Sequence, residues 1–147
     1  MQSPKLLIVE DDEAAIFGYR KYLSSTGYDI STATCLKAAG ELIETEQFDG
    51  ILLDLKLPDG NSIDWIAELR SNFEHLAIII TTGNGEISTA IQAMKYGADN
   101  YLTRPLNMPD LEISLQKCLE IESLRKKTRA YKRLTDKNGQ RPYFRHK

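Results

Sequence analysis

The sequence predicts an α/β fold, a doubly wound sheet of five parallel strands with helices on both faces. Short apolar segments alternate five times with segments of helical periodicity. Four of the five apolar segments are nearly continuous, which is typical of strands buried on both faces. Regular alternation of strands and helices indicates a parallel sheet, because each helix returns the chain to the same end of the sheet.

The predicted strands are four to six residues long, and the helices between them place apolar residues three or four positions apart. The strands are Lys5–Val9, Tyr28–Ala33, Gly50–Leu53, Ala77–Thr81 and Asn100–Thr103. The helices are Glu13–Ser25, Leu36–Glu46, Ile63–Arg70, Glu86–Tyr96 and a long helix from about Asp110. The junctions contain Gly27, Gly60, Gly85 and Gly97. We expect the flavodoxin-like strand order 2-1-3-4-5.

The composition, 41% hydrophobic and 27% charged residues, is that of a globular domain with a core. Residues 1–116 hold 8 Lys+Arg and 18 Asp+Glu, whereas residues 117–147 hold 11 and 3, so an acidic body precedes a basic tail. We find no apolar run long enough to span a membrane and no signal peptide. Cys35 and Cys118 fit neither a metal motif nor a disulfide framework. These features favour a cytoplasmic location.

Polar residues follow four of the five predicted strands. They are Glu10-Asp11-Asp12, Asp54, Thr82-Gly83 and Arg104-Pro105. Because the functional site of a doubly wound sheet lies at the carboxyl ends of its strands, we expect these residues to share one pocket.

Carboxylates gathered in such a pocket repel one another unless a cation binds between them. Glu10, Asp11 and Asp54 offer the oxygen ligands that Mg²⁺ prefers. Asp54 ends a strand, and we expect it to be exposed enough to act as a nucleophile. A phosphoryl group on Asp54 would meet the Thr82 hydroxyl, backbone N–H groups and the Arg104 guanidinium.

The four motifs together resemble the successive signatures of response-regulator receiver domains. The matching segments are Ile8–Asp12, Leu52–Gly60, Ile80–Gly83 and Tyr101–Pro105, and Ala90–Ala98 resembles the fourth helix of the family. Each motif alone is commonplace, but their combination on the correct strands is specific. The resemblance extends from about Lys5 to Leu124. The stretch from Gly85 to Pro105 most resembles receivers of the nitrogen-regulator class, which precede sigma-54-dependent ATPase domains.

The resemblance implies a Mg²⁺-dependent phosphoacceptor that is phosphorylated by a sensor histidine kinase and switches conformation to control an output, which we expect to be transcription. It implies no catalysis beyond the domain's own phosphorylation and dephosphorylation. The implied residues are Asp54 as phosphoacceptor, Asp11, Asp54 and the Lys56 backbone carbonyl as Mg²⁺ ligands, Glu10 as a ligand through water, Thr82 and Tyr101 as switch residues, Arg104 as the cation that contacts the phosphoryl group, and Pro105 after a cis peptide bond.

Arg104 departs from the family pattern, which almost always has lysine at this position. Arginine is planar and bidentate, so the exchange is not neutral. We expect the guanidinium to pair with Asp54 and its neighbours before any phosphoryl group arrives, which would weaken the switch.

Three alternatives are weighed against the receiver hypothesis. A haloacid-dehalogenase-type phosphatase would need a second aspartate where Lys56 stands. A flavodoxin-like cofactor module would need a phosphate-binding loop where the acidic Glu10-Asp11-Asp12 stands. A silent pseudo-receiver that only mediates contacts is the serious alternative, because of Arg104.

The basic tail predicts a boundary within the last helix, with the receiver at residues 1–124 and a basic helical extension or linker at 125–147. Ile121, Leu124, Thr128 and Tyr131 follow the spacing of a short coiled-coil seam, although a solvated helix fits equally well. We expect a homodimer, either through the face of the fourth and fifth helices or through the extended helix. An output domain missing from this chain would follow, and we expect no direct nucleic-acid binding by this domain.

Overall fold

The computed structural model describes residues 3–83 and 86–137, and it contains the predicted sheet of five parallel strands. The strands are β1 Lys5–Val9, β2 Asp29–Ala33, β3 Gly50–Asp54, β4 Ala77–Thr82 and β5 Asn100–Thr103. Their order is β2-β1-β3-β4-β5, so the predicted strand order is confirmed. The register pairs Asp54 with Thr81, which places the end of β3 beside the end of β4.

Five helices connect or follow these strands, with ends within two residues of the predicted ones. They are α1 Glu13–Ser25, α2 Leu36–Thr45, α3 Ile63–Asn72, α4 Ile87–Tyr96 and α5 Met108–Lys137. Outside what the structure describes lie the predicted junction at Gly85, the Tyr131 side chain of the predicted seam, and residues 138–147 of the predicted extension or linker.

The core has two layers, one on each face of the sheet, because side chains alternate along a strand. On β1, Leu6 and Ile8 pack towards α1 and α5, whereas Leu7 and Val9 pack towards α2, α3 and α4. All four are at most 1% exposed. Burial on both faces explains why these strands are almost continuously apolar.

A short antiparallel hairpin, Lys56–Leu57 with Gly60–Asn61, follows β3 and was not predicted as strands. Its turn carries Asp59, whose carboxylate accepts hydrogen bonds from the backbone N–H groups of Leu36 and Lys37 at 2.8 and 3.0 Å. Asp59 thereby caps α2 from a distant part of the chain. The cap fixes the loop that follows Asp54.

Helix α1 begins after Asp12, whose Oδ1 accepts a hydrogen bond from the Ala14 N–H at 3.0 Å. The Asp12 N–H donates to Glu10 Oε2 at 3.1 Å, so the start of α1 also orients Glu10. Asp12 is therefore a helix cap beside the pocket.

A charged cluster at the amino ends of the strands, here named the Arg70 network, comprises Arg70, Gly97, Asp99 and Glu122. The Arg70 side chain donates from Nε and Nη2 to the Gly97 carbonyl at 3.0 and 2.9 Å, and its Nη2 lies 2.9 Å from Asp99 Oδ2. Its Nη1 lies 3.6 Å from Glu122 Oε2. A Cβ on Gly97 would come within 2.9 Å of Arg70 carbons, so this close approach requires glycine. The network ties α3 and α4 to α5.

Helix α5 continues beyond the packed core. Leu115 is 1% exposed, whereas Ile121 and Leu124 are 47% and 56% exposed. Within the described residues, no helix is both long enough and apolar enough to cross a membrane.

Candidate functional site

The carboxyl ends of β1 and β3 bring the three predicted acids together. Glu10 and Asp11 directly follow β1, and Asp54 is the last residue of β3. One carboxylate oxygen of each lies within 4.8 Å of the others. Parallel strands make this possible, because residues far apart in sequence meet where neighbouring strands end.

The burial of Glu10 near the other acids makes its ionised form unfavourable. Its side chain is buried, and burial, together with the negative charge of Asp54, raises the pKa of Glu10 to about 7. Oε2 accepts the Asp12 N–H, but Oε1 is buried and has no hydrogen-bond partner among residues 3–83 and 86–137. A buried oxygen of this kind calls for water or a cation. The three carboxylates and this free oxygen fit a hard divalent ion such as Mg²⁺.

Asp54 is only 4% exposed, so its carboxylate is more buried than expected, and its role as a nucleophile stays a prediction. Arg104 Nη1 lies 3.0 Å from its Oδ1 and the Lys56 N–H donates to the same oxygen at 3.2 Å. The guanidinium and the start of the hairpin thus both hold the same oxygen of the carboxylate, Oδ1. A ligand that binds this oxygen competes with Arg104.

Arg104 follows β5, and the peptide bond between it and Pro105 is cis, as the resemblance implies. Its Nη1 also donates to Thr81 Oγ1 at 3.4 Å. Burial opposes the charge of this side chain, but the hydrogen bond and the charge of Asp54 outweigh burial, so the pKa of Arg104 is raised. The expected pairing of the guanidinium with Asp54 and a neighbour is confirmed.

Thr82 and Tyr101, the predicted switch residues, lie on the adjacent strands β4 and β5. Thr82 is 1% exposed, and its backbone carbonyl accepts the Arg104 N–H at 2.8 Å. Tyr101 is half-buried against the core layer of α2, α3 and α4. Among the described residues neither side chain donates to Asp54, so the switching role of both remains a prediction.

Glu86 is a site residue that the sequence did not reveal. Its Oε1 accepts the Gly83 N–H at 2.9 Å, and its Oε2 forms an ion pair with Lys56 Nζ. The hydrogen bond from Lys56, followed by that from Gly83, lowers the pKa of Glu86. In the sequence analysis, Glu86 was only the first residue of a predicted helix. Lys56 entered only through its backbone carbonyl, as an implied Mg²⁺ ligand. The ion pair that joins them is a long-range contact, which leaves no sequence signal.

The fold and the acid cluster define a receiver, and comparison with known families agrees. Residues 6–116 match the family described as the response regulator receiver domain. This match covers most of the chain, and the protein belongs to that family.

Curated relatives include the alginate biosynthesis transcriptional regulatory protein AlgB of Pseudomonas aeruginosa, 32% identical over 120 residues. That alignment covers 82% of this chain and 27% of AlgB. The transcriptional regulatory protein KdpE of Staphylococcus aureus is 36% identical over 116 residues, which cover 79% of this chain and 49% of KdpE. The chain thus spans between about a quarter and a half of the length of these relatives.

Solved structures agree in fold. The receiver domain protein (CheY-like) from Methanospirillum hungatei is 26% identical with a TM-score of 0.80, over 84% of this chain and 99% of that chain. NtrX from Brucella abortus is 21% identical with a TM-score of 0.82, over 88% of this chain and 30% of that chain, a likeness in fold alone. The curated relatives AlgB and AtoC of Escherichia coli are consistent with the nitrogen-regulator class.

Proposed function

We propose that this chain is the receiver of a two-component response regulator. It accepts a phosphoryl group on Asp54 from a sensor histidine kinase in a Mg²⁺-dependent reaction in the cytoplasm. It then changes conformation to control an output. The relatives AlgB and KdpE are named as transcriptional regulatory proteins, which supports transcription as that output.

The observation that carries this proposal is one buried aspartate that ends a central strand between two further acids and a cation. Asp11, Asp54 and the Lys56 carbonyl would hold Mg²⁺, with Glu10 acting through water. The bound ion would offset the acidic charge and that of the phosphoryl oxygens. The unpartnered Glu10 Oε1 supports this assignment.

In the reaction, a carboxylate oxygen of Asp54 attacks the phosphorus atom of the phosphohistidine. An O–P bond forms and the donor's N–P bond breaks, and the imidazole nitrogen leaves with the electron pair and takes up a proton. Arg104 and the Thr82 hydroxyl contact phosphoryl oxygens. The Tyr101 side chain then changes its conformation as a switch residue. In dephosphorylation, the oxygen of water bonds to phosphorus and the bond between phosphorus and the Asp54 oxygen breaks. Inorganic phosphate leaves with the protons of the water, and the carboxylate is restored. The domain catalyses only these two reactions on itself.

The test is phosphorylation by a small phosphodonor with Mg²⁺, followed by intact mass and peptide mapping. Wild-type protein gains one phosphoryl group, and Asp54→Asn gains none. Asp12→Asn is the matched control, because Asp12 is adjacent in space but serves as a helix cap, a role that asparagine keeps. Labelling of Asp54→Asn at the wild-type rate, or labelling that needs no Mg²⁺, contradicts the proposal.

A second candidate, a silent receiver that only binds partners, is favoured by the ion pair that covers Asp54. The same experiment decides between the two. A silent receiver takes up no phosphoryl group with any donor, although it retains the fold.

We further propose that the chain forms a homodimer, and that residues 125–147 are a basic extension towards an output domain. Two exposed apolar surfaces support a dimer. One is Ile121 with Leu124 on the extension of α5, and the other is Ile87 and Ile91 on α4 with Ile113 on α5. Sedimentation of Leu124→Glu and Ile113→Glu separates them, since only the variant in the true interface becomes monomeric. If wild type is a monomer at every concentration, neither surface is an interface.

A further inference from the structure

We propose that Glu86 is a built-in competitor for the phosphoryl site. In the unphosphorylated protein its carboxylate occupies the Gly83 N–H, and it has to leave before a phosphoryl oxygen can bind there. This inference rests on the proposed phosphorylation of Asp54. It concerns how readily that site accepts an anion.

The Gly83 N–H lies in the pocket and already holds an anion. Gly83 directly follows Thr82, the last residue of β4, next to the strand that ends in Asp54. Glu86 Oε1 accepts its N–H at 2.9 Å. A Cβ built on Gly83 would lie 3.6 Å from Glu86 Oε1 and 3.7 Å from Arg104 Nη2. One guanidinium therefore reaches Asp54 with one nitrogen and approaches the Gly83–Glu86 pair with the other.

Both cations near the pocket interact with the Glu86 carboxylate. Lys56 Nζ pairs with Oε2, and the charges of Lys56 and Arg104 both help to lower the pKa of Glu86. A phosphoryl group brings about −1.5 to −2 units of charge and three acceptor oxygens. It needs the N–H donor and the cations that Glu86 now uses. One N–H cannot satisfy both anions, and their charges repel.

Displacement of Glu86 would also act on α4. Glu86 stands at the N-cap position of that helix, and its carbonyl accepts the Ala90 N–H at 3.0 Å. Its side chain makes no capping hydrogen bond, because it turns back to Gly83. A released carboxylate is free to cap the positive end of the helix. Occupation of the phosphoryl site and the start of α4 are thereby linked.

The experiment measures affinity for beryllofluoride, a phosphoryl mimic, in the presence of Mg²⁺. Glu86→Gln keeps the shape and loses the charge, and Glu86→Ala loses the competitor. We expect binding about 3- to 10-fold tighter than wild type in both, because a charge-assisted hydrogen bond and an ion pair are removed. Glu41→Gln makes the same charge change on the exposed surface of α2 and is the matched control.

Two further measurements separate competition from a general structural effect. The advantage of Glu86→Gln over wild type should shrink as salt is raised. The Gly83 amide proton resonance of wild type should shift on addition of the mimic, and in Glu86→Ala it should already be displaced without it.

The outcomes distinguish this inference from the proposed function. If wild type binds the mimic and Glu86→Gln binds it no better than wild type or Glu41→Gln does, Glu86 is not a competitor and phosphorylation at Asp54 stands. If neither wild type nor any variant binds the mimic, the proposed function fails and this inference falls with it.

Discussion

The two ends of the sheet each bury a glutamate beside an arginine, but the arginines are held differently. Glu10 at the carboxyl ends and Glu122 at the amino ends each have one oxygen with no hydrogen-bond partner among the described residues. Arg104 binds two side chains, those of Asp54 and Thr81. Arg70 pairs with the side chains of Asp99 and Glu122 and also donates to the backbone carbonyls of residues 97 and 74.

This difference suits Arg104 to exchange its partners and Arg70 to hold the structure in place. Side-chain partners can be exchanged by rotation about single bonds, whereas backbone carbonyls move only when helices and loops move. The same pair of residue types therefore supports exchange of ligands at one end and holds α3, α4 and α5 together at the other.

Replacing each arginine separately should give the largest difference in the free energy of unfolding between the two ends of the sheet. Arg70→Met leaves Asp99 and Glu122 without their shared cation, so we expect a loss of about 2–4 kcal/mol in the free energy of unfolding. Arg104→Met should cost less, about 1 kcal/mol, and Mg²⁺ should restore it, since the ion replaces the cation near Asp54. Urea unfolding with and without Mg²⁺ measures both. Equal losses, or rescue of Arg70→Met by Mg²⁺, would show that the two ends do not differ in this way.

The pH dependence of stability sharpens the comparison. Burial raises the pKa of Glu10 and of Glu122 from 4.5 to about 7, and Asp99 adds to the effect at Glu122. A carboxyl whose folded pKa is raised contributes stability that is fully present below about pH 4.5 and is lost as pH rises through about 7. We expect a loss on the order of 1–3 kcal/mol from each group.

Glu122→Gln and Glu10→Gln should each flatten this profile between pH 5 and 7 in unfolding experiments. With Mg²⁺ present, the contribution of Glu10 to the pH dependence of the free energy of unfolding should diminish. The contribution of Glu122 should stay. A profile that Glu122→Gln leaves unchanged would contradict the raised pKa of this buried carboxyl.

The smallest effect concerns the choice of arginine at position 104. Arg104→Lys replaces a forked guanidinium with a movable point charge, which should free Asp54 oxygens for Mg²⁺. We expect about 2- to 5-fold tighter Mg²⁺ binding and a larger change at Tyr101 when a phosphoryl mimic is added. Titration with Mg²⁺ measures the affinity, and the resonance of isotopically labelled Tyr101 measures the change at that residue. If the variant and wild type agree in both, arginine simply substitutes for lysine here.

The sequence predicted the sheet, its order and the acid cluster, because these depend on hydrophobic periodicity and on where strands end. The hairpin after β3 was missed because its strands have two residues each, too few to show alternation. Gly60 was recognised as a junction residue, but the role of the neighbouring Asp59 as a cap of α2 depends on a contact with residues more than twenty positions away.

The burial of Asp54 and the position of Glu86 were beyond sequence analysis for a related reason. Position at a strand end reveals which side chain enters the pocket, but not which neighbour then covers it. Arg104 was expected to pair with Asp54, but the Lys56 N–H that binds the same oxygen could not be foreseen. The hydrogen bond from the Gly83 N–H to Glu86 Oε1 likewise depends on side-chain conformation, which the sequence does not specify.

Helix α5 has a mechanical consequence. It starts four residues after Arg104 and runs for 30 residues, or about 45 Å. The portion beyond Glu122, which the Arg70 network holds, is a rod about 22 Å long. A tilt of about 5° at its base displaces its far end by roughly 2 Å, given the rise of 1.5 Å per residue. The part of the helix from Met108 to Glu122 is also about 22 Å long, so a tilt about Glu122 carries a small displacement near Arg104 to the far end of α5 at about the same size.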